Sequence, residues 1–357
     1  MGGTGWCSLE EIGPFSRLSK LTLHGLENVP ASSSAEMAMI SSKEHIDYLE
    51  LNWSSSRFMG LRDEINKQLQ QIVVEEVIEK LTPPCSIRHL HIEGYFGSRL
   101  PNWMMFPATW AFKSLRHLRM DKLHYCTQLP NGLCQLPILE ALVIDNALAI
   151  NSVGSEFQSP SFLAVGGGIV TARSVVGFPN LATLRLAGLC EWEEESDSET
   201  TEAMAMPVLK KLIIGSCKLS CLPPGLLSSR RHALRELELY KLSNLTYIEN
   251  IPSVVELDVF DCPKLKRINN LSKLQKIKIL YCPNVEVLEG VPSLDNMELM
   301  DGTMETIPEY LTTVTPRYFK LTCSKKLYES LLTGSSSSEY NKISHIKSRT
   351  IDYFRSR

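Results

Sequence analysis

The chain has 357 residues, a formal net charge of −3 and 43% hydrophobic residues, which is the composition of an ordinary folded, soluble protein. The near-neutral charge argues against a dedicated nucleic-acid binder, and without a run of about 18 apolar residues we expect no membrane-spanning helix. The first residues lack the basic and apolar segments of a signal peptide, so we expect reduced cysteines and a cytoplasmic location, with the nucleus as the alternative.

A spaced pattern of apolar residues, L-x-x-L-x-L, occurs twelve times along the chain. Its first residues are Leu18, Ile46, Ile87, Leu115, Leu139, Leu181, Leu209, Leu234, Val254, Leu274, Leu294 and Tyr318. Nine of the eleven intervals between them lie within the period of about 20–29 residues that is typical of leucine-rich repeats. Each unit contributes one strand, whose alternate side chains enter a core shared with the neighbouring units.

This pattern predicts an α/β repeat solenoid over residues 1–332. We expect a leucine-rich-repeat arc of about twelve irregular repeats, with a parallel β-sheet on the concave face and irregular or short helical segments on the convex side.

Four segments depart from the short repeat. Residues 59–81 predict an amphipathic helix on the convex side, ended by Pro83 and Pro84. Its apolar residues at helical spacing are Leu61, Ile65, Leu69, Ile72, Val73, Val77, Ile78 and Leu81. Residues 149–177 predict a loop rich in glycine and serine, and residues 191–202 an acidic, solvated loop for which partner binding is the less favoured alternative. Residues 333–357 predict a polar linker and a C-terminal cap or tail.

Three cysteines, Cys217, Cys262 and Cys282, share one place in the repeat, eight residues after the start of their units. The chain turns there, beyond the strand, and a buried thiol suits the turn because cysteine packs as a small apolar group with a weak donor. The alternative, a set of metal ligands, is disfavoured since no histidine or second cysteine lies nearby at zinc-binding spacing.

Several stretches, in the same order along the chain, are typical of one protein family. They are Leu26-Glu27-Asn28-Val29-Pro30, Gly94-Tyr95-Phe96-Gly97, Leu100-Pro101-Asn102-Trp103-Met104, Gln128-Leu129-Pro130-Asn131-Gly132-Leu133-Cys134, Glu191-Trp192-Glu193-Glu194, Met206-Pro207-Val208-Leu209, Leu222-Pro223-Pro224-Gly225-Leu226 and Cys282-Pro283-Asn284-Val285. Over nearly all its length the chain resembles the leucine-rich-repeat region of plant nucleotide-binding, leucine-rich-repeat disease-resistance proteins, specifically the coiled-coil class of cereals. The resemblance implies a recognition function in plant defence.

The chain also departs from that family. Its members resemble a three-part machine in which a coiled-coil domain and an ADP/ATP-binding switch precede the repeats. No Gly-x-x-x-x-Gly-Lys-Ser/Thr motif occurs in this sequence, and its start at Leu9-Glu10-Glu11-Ile12-Gly13-Pro14 resembles the middle of a repeat region. We therefore expect no nucleotide cofactor in this chain, and a fragment or truncated product of a longer receptor.

Catalysis and metal binding have little support in the sequence. No Gly-x-Ser-x-Gly motif occurs. His89 and His117 hold equivalent places in adjacent repeats, so we expect them about 4.8 Å apart, with His91 on the same face. Three histidines on one exposed face can hold a metal, but no further residues are placed to orient them. We predict a non-enzymatic protein without a metal or cofactor.

The repeat register predicts a binding face instead. Side chains two, four and six residues after the start of each repeat project from the concave sheet. In the late repeats this candidate set is Glu236, Glu238, Tyr240, Glu256, Asp258, Phe260, Lys276, Lys278, Leu280, Glu298 and Met300. It combines acidic groups, two lysines and an apolar row with a 20-residue period, which is typical of a protein-docking surface. The alternative is that the row packs beneath a loop or against the strand ends.

These observations together predict a protein-recognition module. The predicted partner is a pathogen effector, a host protein, or a nucleotide-binding domain in cis or in trans whose switch the repeats regulate. The alternative function is a substrate adaptor of a ubiquitin ligase, which needs a helical recruiting domain that residues 1–17 do not supply.

Overall fold

The computed structural model describes residues 8–54, 58, 60, 63–105, 112–130, 132–151, 153, 177–192, 206–223 and 233–354. The chain divides into two compact units. Unit 1 comprises Met1–Glu191 with Glu199–Pro207, and unit 2 comprises Trp192–Ser198 with Val208–Arg357.

Within its described residues, unit 1 carries six parallel strands, one for each of the first six predicted repeats. They are β1 (Lys20–Leu23), β2 (Tyr48–Asn52), β3 (His89–Glu93), β4 (His117–Asp121), β5 (Ala141–Asp145) and β6 (Thr183–Ala187). Leu49, Leu90 and Leu118 are register partners on adjacent strands and are all buried. Buried and half-buried residues alternate along β2, β3 and β5, which confirms the strand pattern expected from the leucine spacing.

The described part of unit 2 carries seven parallel strands of one sheet. They are β7 (Lys211–Gly215), β8 (Glu236–Tyr240), β10 (Glu256–Phe260), β12 (Lys276–Leu280), β14 (Asn296–Met300), β15 (Tyr318–Cys323) and β16 (Ser348–Tyr353). Five of them, β7, β8, β10, β12 and β14, coincide with predicted repeats, and Leu237, Leu257 and Ile277 are buried register partners. The prediction for the last repeat was wrong by two residues, because Tyr318 is the register partner of Asn296 and is 51% exposed, while Phe319 and Leu321 are buried. Each unit is therefore the predicted α/β leucine-rich-repeat solenoid, in which a repeat buries its apolar residues against the next.

Unit 2 also contains a smaller parallel sheet. Its strands are β9 (Tyr247–Glu249), β11 (Arg267–Asn269) and β13 (Val287–Glu289), which lie in the segments that return from one long strand to the next. The central residues Ile248, Ile268 and Leu288 are buried register partners. These returning segments are thus extended and paired, whereas the sequence predicted irregular or helical ones.

Buried thiols complete the turns that follow the strands, as the sequence predicted. Asp261 and Tyr281 adopt positive φ values of 54° and 55° directly after β10 and β12. The backbone N–H of the next residue, Cys262, donates to Sγ of Cys282 at 3.4 Å. The Cys282 thiol in turn lies 3.4 Å from the carbonyl oxygen of Leu280. The thiols therefore form hydrogen bonds with backbone groups at the place where the pairing between strands ends.

Most of the helical segments are short. Among the described residues, the helices are α1 (Ser32–Met37), α2 (Glu64–Lys80) and α3 (Asn102–Met105) in unit 1, and α4 (Lys325–Leu332) and α5 (Ser338–Ile343) in unit 2. The 3-10 turns in the same part of the chain are Leu9–Ile12, Leu26–Asn28, Ile40–Ser42, Leu133–Gln135, Glu309–Thr312 and Gly334–Ser336.

Helix α2 occupies the predicted helical segment but packs differently from the prediction. Asp63 caps its N-terminus by accepting a hydrogen bond from the Ile65 N–H at 3.1 Å. The buried residues of the helix are Val74, Val77 and Ile78. The exposed apolar residues are Ile65, Leu69 and Ile72, at 68%, 55% and 52%. The apolar residues therefore lie on two faces, and only the face formed in the C-terminal half packs on the repeats.

The remaining predicted segments are described in part. Most of the loops predicted at 149–177 and 191–202 lies outside the described residues. Within 333–357, β16 pairs in parallel with β15, and Ile351 lies opposite Leu321. The C-terminal segment thus adds a strand that no leucine pattern marks, while the predicted boundary at residue 332 stays a prediction.

Candidate functional site

All eleven predicted binding residues lie on β8, β10, β12 and β14 of unit 2, where the strand register aligns them in three columns. The first column contains Glu236, Glu256 and Lys276. The second contains Glu238, Asp258, Lys278 and Glu298, and the third contains Tyr240, Phe260, Leu280 and Met300. The residues between them on each strand are buried, so the columns share one surface, the open face of unit 2. Their role in binding stays a prediction.

Ion pairs between neighbouring strands order the two charged columns. Lys276 Nζ lies 2.9 Å from Glu256 Oε2, and Lys278 Nζ lies 2.9 Å from Asp258 Oδ2. Each lysine thus faces the acidic residue at the same strand position on the preceding repeat. The acidic groups and the two lysines predicted from the sequence therefore meet in pairs on the open face.

Two further lysines on this face were missed by the sequence analysis. Lys211 on β7 contacts Glu236 at 3.2 Å and Glu238 at 2.6 Å, and Lys320 on β15 contacts Glu298 at 2.7 Å. Lys211 stands two residues after the start of its repeat, so the same register rule, applied to all repeats, identifies it. Lys320 is the register partner of Glu298, which stands four residues after the start of its own repeat. A hydrogen bond from Lys211 to Glu238 raises the pKa of the lysine, and one to Glu298 does the same for Lys320. The five acidic residues of the open face therefore face four lysines, of which Lys211 is shared by two glutamates.

The apolar column is partly supported by its neighbours and partly open. Tyr240, Leu280 and Met300 are half-buried, and Phe260 is 37% exposed. The Phe260 ring packs edge-to-face on Tyr281 with centroids 5.5 Å apart, and Tyr281 packs on Phe354 at 6.4 Å. The column thus contacts residues beyond the strand ends and still presents apolar surface, and its role in docking stays a prediction.

A depression of about 400 Å³ lies on the same open face, across β12, β14, β15 and β16. Lysine, amide and hydroxyl side chains line it together with the half-exposed Tyr318. The C-terminal strand supplies Ser348 and Thr350, which the leucine pattern did not mark. The charged columns therefore continue into a hollow at the C-terminal end of the unit, whose lining also includes the apolar residues Ile277, Met297 and Phe319.

Unit 1 presents a column of ring side chains on its open sheet face. His89 and His117 are register partners, as expected from the sequence, and their rings stack with centroids 4.5 Å apart and an interplanar angle of 10°. Tyr48 precedes them at 6.1 Å from His89, and Lys20 Nζ lies 4.2 Å from the Tyr48 centroid. We call Lys20, Tyr48, His89 and His117 the ring column.

His91 is grouped with two carboxylates, whereas the sequence predicted that it shares a face with His89 and His117. His91 lies with Glu50 and Glu93, and one donor atom from each falls within 4.8 Å of the others. Lys122 Nζ lies 2.5 Å from a Glu93 oxygen and lowers the pKa of that carboxyl. The Tyr48 hydroxyl donates to Glu50 at 2.8 Å. Lys122 and Tyr48 thus already engage both carboxylates. The absence of a bound metal at this cluster stays a prediction.

Residues 9–147 match the family model described as R13L1/DRL21 LRRs. The chain is 30% identical over 241 residues to an RPP13-like disease resistance protein of Arabidopsis thaliana, an alignment that covers 67% of this chain and 21% of that protein. It is 26% identical over 255 residues to disease resistance protein RGA2 of Solanum bulbocastanum, covering 67% and 23%. The chain therefore spans about a fifth of the length of these relatives.

A leucine-rich-repeat protein of Leptospira interrogans is among the similar solved structures, with 15% identity, a TM-score of 0.39, and coverage of 96% of this chain and 91% of that one. Within the described residues, every helix is too short or too polar to cross a membrane.

Proposed function

We propose that this chain recognises a protein partner in plant defence. The proposal starts from the relation of the chain to the leucine-rich-repeat regions of plant disease resistance proteins. The observation that supports the proposal most is the open face of unit 2. There an apolar column with a 20-residue period runs beside two columns of paired charges.

This combination suits a protein interface. Tyr240, Phe260, Leu280 and Met300 offer apolar area of the kind that dominates binding energy. The paired charges beside them select partners whose own charges match, because a like charge held against them costs several kcal/mol. Each of these side chains points away from the buried leucines, so substitutions can change the partner without disturbing the core.

The partner that we propose is a pathogen-derived protein or a host protein. A nucleotide-binding domain, in cis or in trans, is the third partner within the same proposal, and the repeats then regulate its switch. The relatives are named as disease resistance proteins, which favours these partners, and the face itself favours a folded protein surface over a small molecule because it is broad and open.

The experiment is proximity labelling in plant cells with three forms of the chain. These are the wild type, the double variant Phe260→Ser/Leu280→Ser, and the control Leu332→Ser, which removes an apolar side chain that is 68% exposed on α4. We expect the partners labelled by the wild type and the control to be lost from the double variant, at an unchanged melting temperature. Equal labelling by all three forms, or loss of folding in the double variant, contradicts the proposal.

A further inference from the structure

The ring column of unit 1 stops abruptly at β4. Lys20, Tyr48, His89 and His117 are register partners on β1 to β4, and the three rings follow one another at centroid distances of 6.1 Å and 4.5 Å. The next two residues in register are Ala141 on β5 and Thr183 on β6. A methyl group and a short hydroxyl side chain thus replace the rings where the column would continue.

This change leaves a slot about one ring thick. One face of the His117 imidazole stacks on His89, and His117 is exposed. In the part of the chain that the structure describes, His89 is the one ring that packs on His117. Ala141, which is half-buried, forms the floor of the slot, and Thr183 forms the wall facing His117.

Charge decides which planar group fits the slot. Arg116 pairs with Glu140 beside it, and Arg119 and Arg185 stand two residues beyond His117 and Thr183 on the same face. The latter two are held by Asp121 and Asp145 at 2.9 Å each. The three carboxylates that could pair with an arginine or lysine of a partner are therefore already engaged, so a neutral aromatic ring is favoured over a cation that would enter without a counter-ion.

We propose that the slot over Ala141, between His117 and Thr183, binds one aromatic side chain of a protein partner. The inserted ring stacks on His117 and continues the column by one member, at the separation already found between His89 and His117. This site is separate from the open face of unit 2, and only the assignment of the ring to a protein partner rests on the proposed function.

The test uses the whole chain and small probes, so that its result does not depend on knowing the partner. Histidine ring signals are followed by NMR while N-acetyltryptophan amide is added, with N-acetylarginine amide and N-acetylleucine amide as comparison probes. His117→Gln assigns the His117 signal. We expect the tryptophan probe to shift the His117 signal in a saturable way through its ring current, and the other two probes to leave it in place.

Two tyrosine variants decide whether the slot is the site. Ala141→Tyr places the chain's own ring in the slot and should abolish the shift. Lys347→Tyr puts a tyrosine on an exposed position just before β16 in unit 2 and should leave the shift intact. If Ala141→Tyr fails to fold, Thr183→Trp fills the slot from the opposite wall and should have the same effect. An undiminished shift in the filled variants, or an equal shift with the leucine probe, overturns the proposal, as does the absence of any shift.

Discussion

The phenol ring of Tyr240 covers Gly215 on the neighbouring strand of unit 2. A Cβ atom added to Gly215 would lie 2.3 Å from Cζ of that ring, well inside van der Waals contact. Gly215 and Tyr240 are register partners, so the glycine marks the place where the apolar column begins. The missing side chain on β7 lets the ring lie flat on the sheet and brings it beside Phe260.

The substitution Gly215→Ala should therefore displace the Tyr240 ring. We expect a loss of about 1–2 kcal/mol in the free energy of unfolding, the range of a modest steric overpacking. Urea unfolding followed by circular dichroism measures it. The matched test is the same substitution in a Tyr240→Ser background, where the steric conflict is gone and alanine should cost nothing. Equal losses in the two backgrounds would show that the ring and the glycine are not coupled.

Lys211 should stabilise unit 2 in a salt-dependent way. It contacts both Glu236 and Glu238, and the neighbouring repeat adds Glu256 and Asp258 at the same positions. Lys211→Met leaves this acidic cluster without its cation on one side. We expect a loss of less than about 1 kcal/mol at low salt, because the pair is solvent-accessible, and almost none near 1 M salt.

Melting curves at several salt concentrations measure the effect of Lys211→Met. Lys325→Met serves as the control, since it removes an exposed lysine that pairs within one helix. A loss that is the same at all salt concentrations would mean that Lys211 acts through packing and not through charge.

Much of this arrangement could be predicted from the sequence, because the leucine spacing alone determines which residues face outward. The columns on unit 2 and the stacking of His89 on His117 both follow from counting residues in each repeat. Contacts between residues with no fixed spacing could not be predicted this way. Phe354 reaches Tyr281 from β16, a strand with a single isoleucine at its centre and no leucine pattern.

Side-chain packing could not be predicted from the sequence either. Helix α2 has apolar residues around much of its circumference, and periodicity does not reveal which of them the repeats cover. The slot beside His117 exists because Ala141 has no ring. An alanine on a strand does not indicate such a slot unless its register partners are known.

Unit 1 should lose stability on mild acidification. Burial lowers the pKa of His91, and burial together with the neighbouring His89 lowers that of His117. In the unfolded chain both groups bind protons near their ordinary pKa of about 6.5, while the folded state still resists protonation. Below that pH the unfolded state binds more protons, so the free energy of unfolding falls as the pH drops through 6.5 and levels off beneath the folded pKa.

Urea unfolding between about pH 7.5 and 5.5 follows this loss, in a window chosen around the histidine pKa of about 6.5. Burial also lowers the pKa of His124, so the triple variant His91→Gln/His117→Gln/His124→Gln should flatten the dependence. His45→Gln, which changes an exposed histidine of the same unit, is the control. If the pH dependence persists in the triple variant, groups other than these three histidines cause it.

Zinc should bind weakly to the cluster of Glu50, His91 and Glu93. Lys122 occupies a Glu93 oxygen, so an incoming cation must displace an ammonium group and then remain beside it. We expect chain purified without chelators to carry far less than one zinc ion by elemental analysis. Lys122→Ala should raise the zinc affinity measured by calorimetry, while Lys113→Ala, at an exposed lysine, should not. One tightly held zinc ion per wild-type chain would refute this.

The cysteines should differ sharply in their reactivity in the native chain. Cys85 is exposed, whereas Cys126, Cys262 and Cys282 are buried. Burial also raises the pKa of the Cys126 thiol to about 12, so little reactive thiolate forms there. In native alkylation with iodoacetamide followed by mass spectrometry, Cys85 should react at least about tenfold faster than these three, which need local opening. Cys85→Ser should leave the slow rates of these three thiols unchanged, and urea should equalise the rates. Rapid native alkylation of Cys262 or Cys282 would instead show that the turns after β10 and β12 open without unfolding of the repeats.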